Sequence, residues 1–274
     1  MKGGYILFYG AKGNSVTING SKMSYVEFGK GQSTLIILPG LSDGLTTVEG
    51  QAFNLAYYFR AYLRDFKVYV FSRIENIDTD YTTREMAKDL KQALDQLGIR
   101  KIFLMGVSQG GMIAQHFAID YPDMVEKLVL AVTAARANDV LRGAVNRWRQ
   151  YAQENDYKSL MIDTTEKTYS PQKLKTYRLM YPLLCRIGKP KSFDRFLIQA
   201  DAVLAHDTFS KLENITCPTF IIGGDSDKVV GPNASVEMAD KIPNSRLLLY
   251  KGLGHASYEE GKDFNKQVKD FLLS

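Results

Sequence analysis

An α/β fold, a mostly parallel β-sheet flanked by helices with a helical segment inserted into it, is predicted by three features of the sequence. Short runs of apolar and β-branched residues alternate with segments of helical periodicity from Thr34 onward, the pattern of consecutive βαβ units. Two of these runs, Thr34 to Leu38 (TLIIL) and Ile102 to Val107 (IFLMGV), are apolar almost throughout, as expected of parallel strands covered by helices on both faces. The alternation is interrupted once, between Val132 and Thr219, by a stretch too long for a single crossover and carrying helical stripes of its own.

The elements follow in order. Ser15 to Ile18 and Lys22 to Phe28 flank Asn19-Gly20, a strong signal for a two-residue hairpin, so the chain enters through an antiparallel pair. Thr34 to Leu38 then runs into the loop Pro39-Gly40-Leu41, which leads to a helix around residues 50–64, and Lys67 to Ser72 is the next strand. Thr82 to Leu97 places Met86, Leu90, Ala93, Leu94 and Leu97 on one helical face, with Gly98 as its stop. After the strand Ile102 to Val107 comes a helix from Gln109 to Tyr121, ended by Pro122, and then the strand Leu128 to Val132. Within the interruption, Asp139 to Ala152 puts Val140, Leu141, Ala144, Val145, Trp148, Tyr151 and Ala152 on one stripe. Pro171 and Pro190 mark the starts of two further helices, Pro171 to Arg186 and Lys191 to Ala205. The division expected is a core of residues 1–135 and 212–274 with a helical insertion at 136–211. Thr219 to Ile222, a short helix around Val236 to Ala239, the strand Arg246 to Tyr250 and a helix Phe264 to Leu273 complete the pattern.

With 274 residues and 45% hydrophobic content, the chain can bury a large core. No apolar run approaches the roughly 20 residues that cross a bilayer. The run Tyr5 to Tyr9 is too short for a signal-peptide core and lacks a small-residue cleavage site, so a cytoplasmic location is expected. Cys185 and Cys217 form neither a disulfide framework nor a zinc pattern and read as two reduced, buried thiols. The net charge of +5 is uneven: Arg136 to Arg195 holds 13 Lys or Arg against 6 Asp or Glu, a net of +7, so the rest of the chain nets −2. Interleaved with apolar helical positions, this basic excess reads as a solvated helical surface, or, above a pocket, as a means of concentrating anionic substrates. No nucleic-acid-binding motif accompanies it.

The chemistry centres on Gly106-Val107-Ser108-Gln109-Gly110. Set between a buried strand and a helix, it fits the G-x-S-x-G elbow, in which a serine occupies a strained strand-to-helix turn. A serine hydroxyl needs a neighbouring base, and the sequence offers three histidines. His116 lies inside the elbow helix and reads as a helix-surface or core residue. His206 ends a helix of the insertion, where a cation would complement the helix C-terminus. His255, in Gly252-Leu253-Gly254-His255 directly after the last strand, can reach the C-terminal edge of the sheet and is the candidate base. A carboxylate is needed to hold its tautomer, and Asp225 and Asp227 both follow the strand that ends in Gly223-Gly224.

The order Ser108, Asp, His255, with these three loops, resembles the α/β-hydrolase fold superfamily, specifically its capped serine-nucleophile hydrolases. The resemblance spans nearly the whole chain. It implies Asp227 as the acid, through a G-x-x-D-x-x-V pattern at Gly224 to Val230, and the insertion as a helical cap over the pocket. It implies an oxyanion hole formed by the backbone N–H groups of Gln109 and Leu41, although Pro39 stands where many relatives have histidine. It also implies cleavage of a carboxylic ester or related acyl bond of a small molecule through an acyl-serine intermediate, with no cofactor or metal. Serine at 108 sets the chain apart from haloalkane dehalogenases, which use aspartate there. A C–C bond hydrolase with the same triad and a slow-turnover ligand receptor on the same fold remain open. Ser72-Arg73-Ile74-Glu75-Asn76 replaces the Asp-x-Arg-Gly-x-Gly run of many relatives.

Overall fold

The computed structural model describes residues 10–274; the run Tyr5 to Tyr9 lies outside them. Eight strands form one sheet: β1 (Lys12–Ile18), β2 (Ser21–Phe28), β3 (Ser33–Leu38), β4 (Phe66–Ile74), β5 (Ile102–Val107), β6 (Val125–Ala131), β7 (Thr219–Gly224) and β8 (Ser245–Tyr250). Their order is β1-β2-β4-β3-β5-β6-β7-β8. β1 and β2 are antiparallel, as are β2 and β4, and every pairing from β4 through β8 is parallel. The entry hairpin turns at Asn19 and Gly20 with φ of 49° and 80°. Two positive φ values are what a two-residue turn needs to match the strand twist.

Helices cover both faces. On one, α2 (Thr83–Gln96) and α3 (Gln109–Asp120) bury Leu90, Leu94, Ile113 and Phe117 against Ile36, Leu104, Leu128 and Ile221. On the other, α1 (Ala52–Tyr58) contributes Ala56, and the terminal helix Phe264–Leu273 packs Phe264, Val268 and Leu272 with Leu35, Val68, Val129 and Phe220. The alternation of Leu35 and Ile36 between two cores is why the parallel strands read as unbroken apolar runs. The helix predicted around residues 50–64 is regular only over Ala52–Tyr58 and continues as turns.

Between β6 and β7 the chain forms four helices, α4 (Asp139–Gln153), α5 (Tyr157–Thr168), α6 (Pro171–Leu184) and α7 (Asp194–Ala205). The apolar stripe of α4 packs as expected, with Leu141, Ala144, Val145, Trp148 and Ala152 buried, but Val140 is exposed. Pro171 does start α6, capped by Ser170, whose Oγ accepts from Lys173 N–H. Pro190 does not start α7: the chain stays irregular until Phe193. The two thiols are half-buried, not buried. No helix among the described residues is long and apolar enough to cross a membrane.

His206 departs most from expectation. It lies at the C-terminus of α7, yet it is buried, its Nδ1 2.9 Å from Thr83 Oγ1, its Nε2 3.3 Å from Thr208 Oγ1, and its ring edge-on to His116 at 5.2 Å. Burial pushes its pKa down to about 3, and burial pushes that of His116 down to about 4. Desolvation thus outweighs the helix C-terminus, and the ring is neutral. An unfolded imidazole takes up its proton near 6.5, so between that pH and about 3 the unfolded chain binds more protons and stability falls with pH. The urea midpoint should therefore drop on acidification from pH 7 to 4.5, with His206 contributing up to about 1.4 kcal/mol per pH unit. Replacement His206→Gln should flatten that slope; an unchanged slope would show that the imidazole is not the titrating group.

Candidate active site

β5 and α3 meet at an angle so tight that two positions admit only glycine. A Cβ at Gly106 would lie 2.4 Å from Gly110 O, and one at Gly110 would lie 2.0 Å from Leu38 O. Between them Ser108 holds φ 53° and ψ −120°, a region L-residues rarely enter. Its N–H donates to Ala131 O at 2.9 Å, pinning the turn to the neighbouring strand. Val132, just beyond β6, is a second strained residue, a β-branched side chain at φ 46°, held by its N–H donating to Ile222 O at 2.8 Å.

The sheet order sets β5, β6, β7 and β8 side by side, so the loops after β5, β7 and β8 open at one edge. Ser108 Oγ lies 3.0 Å from His255 Nε2, and His255 Nδ1 lies 2.8 Å from Asp227 Oδ2. Asp227 is 4% exposed and His255 7%. The other carboxylate oxygen of Asp227 accepts the N–H groups of Val229 at 2.7 Å and Val230 at 3.0 Å. A carboxylate so placed only accepts, so Nδ1 carries the ring proton and Nε2 presents its lone pair to the serine hydroxyl. Asp225 is exposed and does not reach His255; its Oδ1 accepts from Gly252 N–H at 2.7 Å and Ser226 Oγ at 2.9 Å, bracing the loop that carries the histidine.

Leu41 opens a 3-10 helix, Leu41–Gly44, and Gln109 opens α3. The N–H groups at such positions have no intrahelical acceptor. Gly40 brings the first loop against the second: a Cβ there would be 3.3 Å from Ser108 Cβ. Leu41 follows Gly40 directly, and Gln109 follows Ser108 and opens α3, whose N-terminus favours negative charge.

Sequence reasoning missed the group that holds this loop. Arg73, 2% exposed, donates through Nη2 to Pro39 O at 2.5 Å and to Gln109 Oε1 at 3.1 Å. Burial pulls its guanidinium below the ordinary value, while Asp43 pulls back the other way. Asp43, 2% exposed, accepts from Arg195 Nη2 at 2.6 Å and from Arg73 N–H at 3.2 Å, and Arg195 also donates to Asp43 O and Arg73 O. Gln109 Nε2 donates to Gln199 O at 2.9 Å. Arg195 and Gln199 belong to α7, so helix and loop share one buried polar network. The available signal was Arg73 itself, a charge ending an apolar strand one position from where many relatives carry aspartate.

The family model for the alpha/beta hydrolase fold matches residues 34–262. The chain belongs to this family. It is 28% identical over 196 residues to a 2-hydroxy-6-oxononadienedioate/2-hydroxy-6-oxononatrienedioate hydrolase of a Pseudomonas species, covering 68% of each chain. It is 26% identical over 267 residues to another such hydrolase, of Pseudomonas putida, covering 92% of this chain and 91% of that one. Among solved structures, an alpha/beta hydrolase enzyme from a Medee basin deep-sea metagenome library superposes with a TM-score of 0.82 at 23% identity, over 95% of this chain and 98% of that one.

Removing the Arg73 guanidinium leaves Pro39 O and Gln109 Oε1 without their donor and Asp43 with one cation. Replacement Arg73→Met should lower the unfolding free energy by roughly 2–4 kcal/mol in urea titration. Lysine at 73 should rescue only part of this, since one ammonium cannot reproduce the planar fork; full rescue would show that charge alone matters there.

Proposed function

We propose that the protein is a serine hydrolase that cleaves a carboxylic ester or a related acyl bond through an acyl-serine intermediate. The observation that carries this is the unbroken hydrogen-bonded chain Ser108–His255–Asp227. In this reading His255 Nε2 takes the Ser108 proton as Oγ attacks the substrate carbonyl carbon. The carbonyl oxygen becomes an oxyanion that accepts from Leu41 and Gln109 N–H. Collapse expels the leaving alkoxide, which takes the proton from Nε2, and leaves the acyl group on Oγ. Water, deprotonated by the same nitrogen, then releases the acid and restores the serine. Asp227 stays ionised throughout and stabilises the imidazolium.

The same reading makes residues 136–211 a cap over a core of residues 1–135 and 212–274. Trp148, Phe193 and Phe196 are buried in one cluster with Leu41, Met112, Val229 and Val230, the last two of which donate to Asp227, and in this reading that cluster faces an apolar acyl or aromatic portion of the substrate.

A second reading has a specific observation in its favour: both relatives named above carry the name of a hydrolase acting on a 2-hydroxy-6-oxo-dienedioate, in which the bond broken joins two carbons. The same three side chains serve that chemistry, with a carbanion as leaving group in place of an alkoxide. Turnover of p-nitrophenyl esters compared with a 2-hydroxy-6-oxononadienedioate separates the two, and the larger kcat/KM decides between them.

Either way, a fluorophosphonate probe should label Ser108 and no other serine, and Ser108→Ala should cost roughly 10³-fold or more in turnover. Labelling elsewhere would overturn the assignment. The two aspartates should also separate. Asp227→Asn favours the wrong imidazole tautomer and should lower kcat by orders of magnitude, whereas Asp225→Asn keeps an acceptor for Gly252 N–H and should cost far less; the opposite ranking would move the acid by two residues.

A further inference from the structure

The basic excess of the insertion is concentrated on α6 and the turn after it, where every charged side chain from Lys167 to Phe193 is Lys or Arg. This helix is barely attached to the fold. Leu174 is its only buried residue, and its ties include Tyr177 against Tyr169, the contacts of Arg178 and Tyr181 with Glu166, and the bonds of its cap Ser170 to Glu260. Its outer face carries Leu179, 84% exposed, with Met180, Leu183 and Ile187 also exposed. Leu179 and Leu183 stand one turn apart, so they share a face. Beside that face runs a cleft of about 440 Å³ whose charged lining, Lys158, Arg178 and Arg186, is cationic. Among the described residues, Lys173, Lys175 and Arg186 form no ion pair.

We propose that α6 and the turn after it dock on the surface of a bilayer bearing anionic phospholipids, with Leu179, Met180, Leu183 and Ile187 entering the headgroup layer and the basic cleft receiving lipid phosphate. Helices that lie in the membrane interface join these two features, an exposed apolar face and flanking cations. Charge excludes the other simple occupant. In a two-fold dimer the same patch would meet itself, and like charges would oppose one another across the contact. An anionic bilayer answers both halves of the surface, supplying negative charge at the depth of the lysines and hydrocarbon at the depth of the leucines.

The test is flotation of the intact chain with vesicles of phosphatidylcholine alone or with about 30 mol% phosphatidylglycerol, at low and high salt. Binding to the anionic vesicles only, released by salt and lost in Leu179→Glu/Leu183→Glu, is the expected result. Arg186→Glu should weaken it roughly fivefold or more. Unchanged thermal unfolding and unchanged fluorophosphonate labelling of both variants would keep the loss from being one of folding or of the reacting groups. Absence of flotation, equal flotation on neutral vesicles, or flotation indifferent to the two glutamates would overturn the proposal. So would a dimer in sedimentation that the glutamates dissociate, which would assign the face to a second copy. Flotation needs no turnover, so it stands or falls separately from the proposed hydrolysis.

Discussion

A serine whose backbone is forced to φ 53° is the constraint on which the site's geometry rests. Such a conformation costs on the order of 1–3 kcal/mol and persists only where the surroundings over-determine it. Here they do: the two glycines let helix and strand close to contact distance, and the Ser108 amide is tied to β6. The return on that strain is position. The hydroxyl stands clear of the strand, at a helix start and within reach of an imidazole that comes from a loop 147 residues further along the chain. Val132, just beyond β6, is strained in turn at φ 46°, so the strain at this edge of the sheet is not confined to Ser108.

Around that edge the molecule buries charge, which is costly unless paired and hydrogen-bonded. Asp43 meets the condition in part: Oδ2 accepts from Arg195 at 2.6 Å and lies 4.0 Å from the Arg73 guanidinium, and both guanidiniums donate to backbone carbonyls, while Asp43 Oδ1 and Arg73 Nε and Nη1 are buried without a hydrogen-bond partner. Where many relatives place a histidine before the loop glycine, this chain has Pro39, whose carbonyl is gripped by Arg73. The loop is thus held by its main chain in place of a side chain of its own.

The fold was legible because its signals are local: strand runs apolar on both faces, a positive-φ hairpin dipeptide, and helix stops at Gly98 and Pro122. Ser108 and His255 could be located for the same reason, since each follows a strand at the sheet's C-terminal edge and the strand order brings those ends together; the same signal left Asp225 and Asp227 level, and only the resemblance chose between them. What the sequence concealed depends on contacts between distant segments. Asp43 and Arg195 are unremarkable as single letters, Arg73 stands out only as a charge near the end of an apolar strand, and the network the three form follows only from the packing of α7 on the first loop. His206 read as a helix-end cation because its burial under Thr83 and His116 is tertiary. The bounds of α5 were missed because Tyr157, Leu160 and Thr165, its buried residues, leave little stripe to see, and Pro190 sits in an irregular connection that local preference alone would have made helical.

The insertion touches the loop after β3 and the loops that carry Asp227 and His255. Arg195 and Gln199 hold the first of them; Asn138 Nδ2 donates to Val230 O at 2.7 Å beside Asp227; and Thr168 O accepts the Ala256 N–H at 2.8 Å, next to His255, while Ser170 and Tyr169 bond Glu260 and Glu259. These helices are consequently not an exchangeable module. A chimera that grafted foreign helices at the same two junctions would lose the partners of all three loops together.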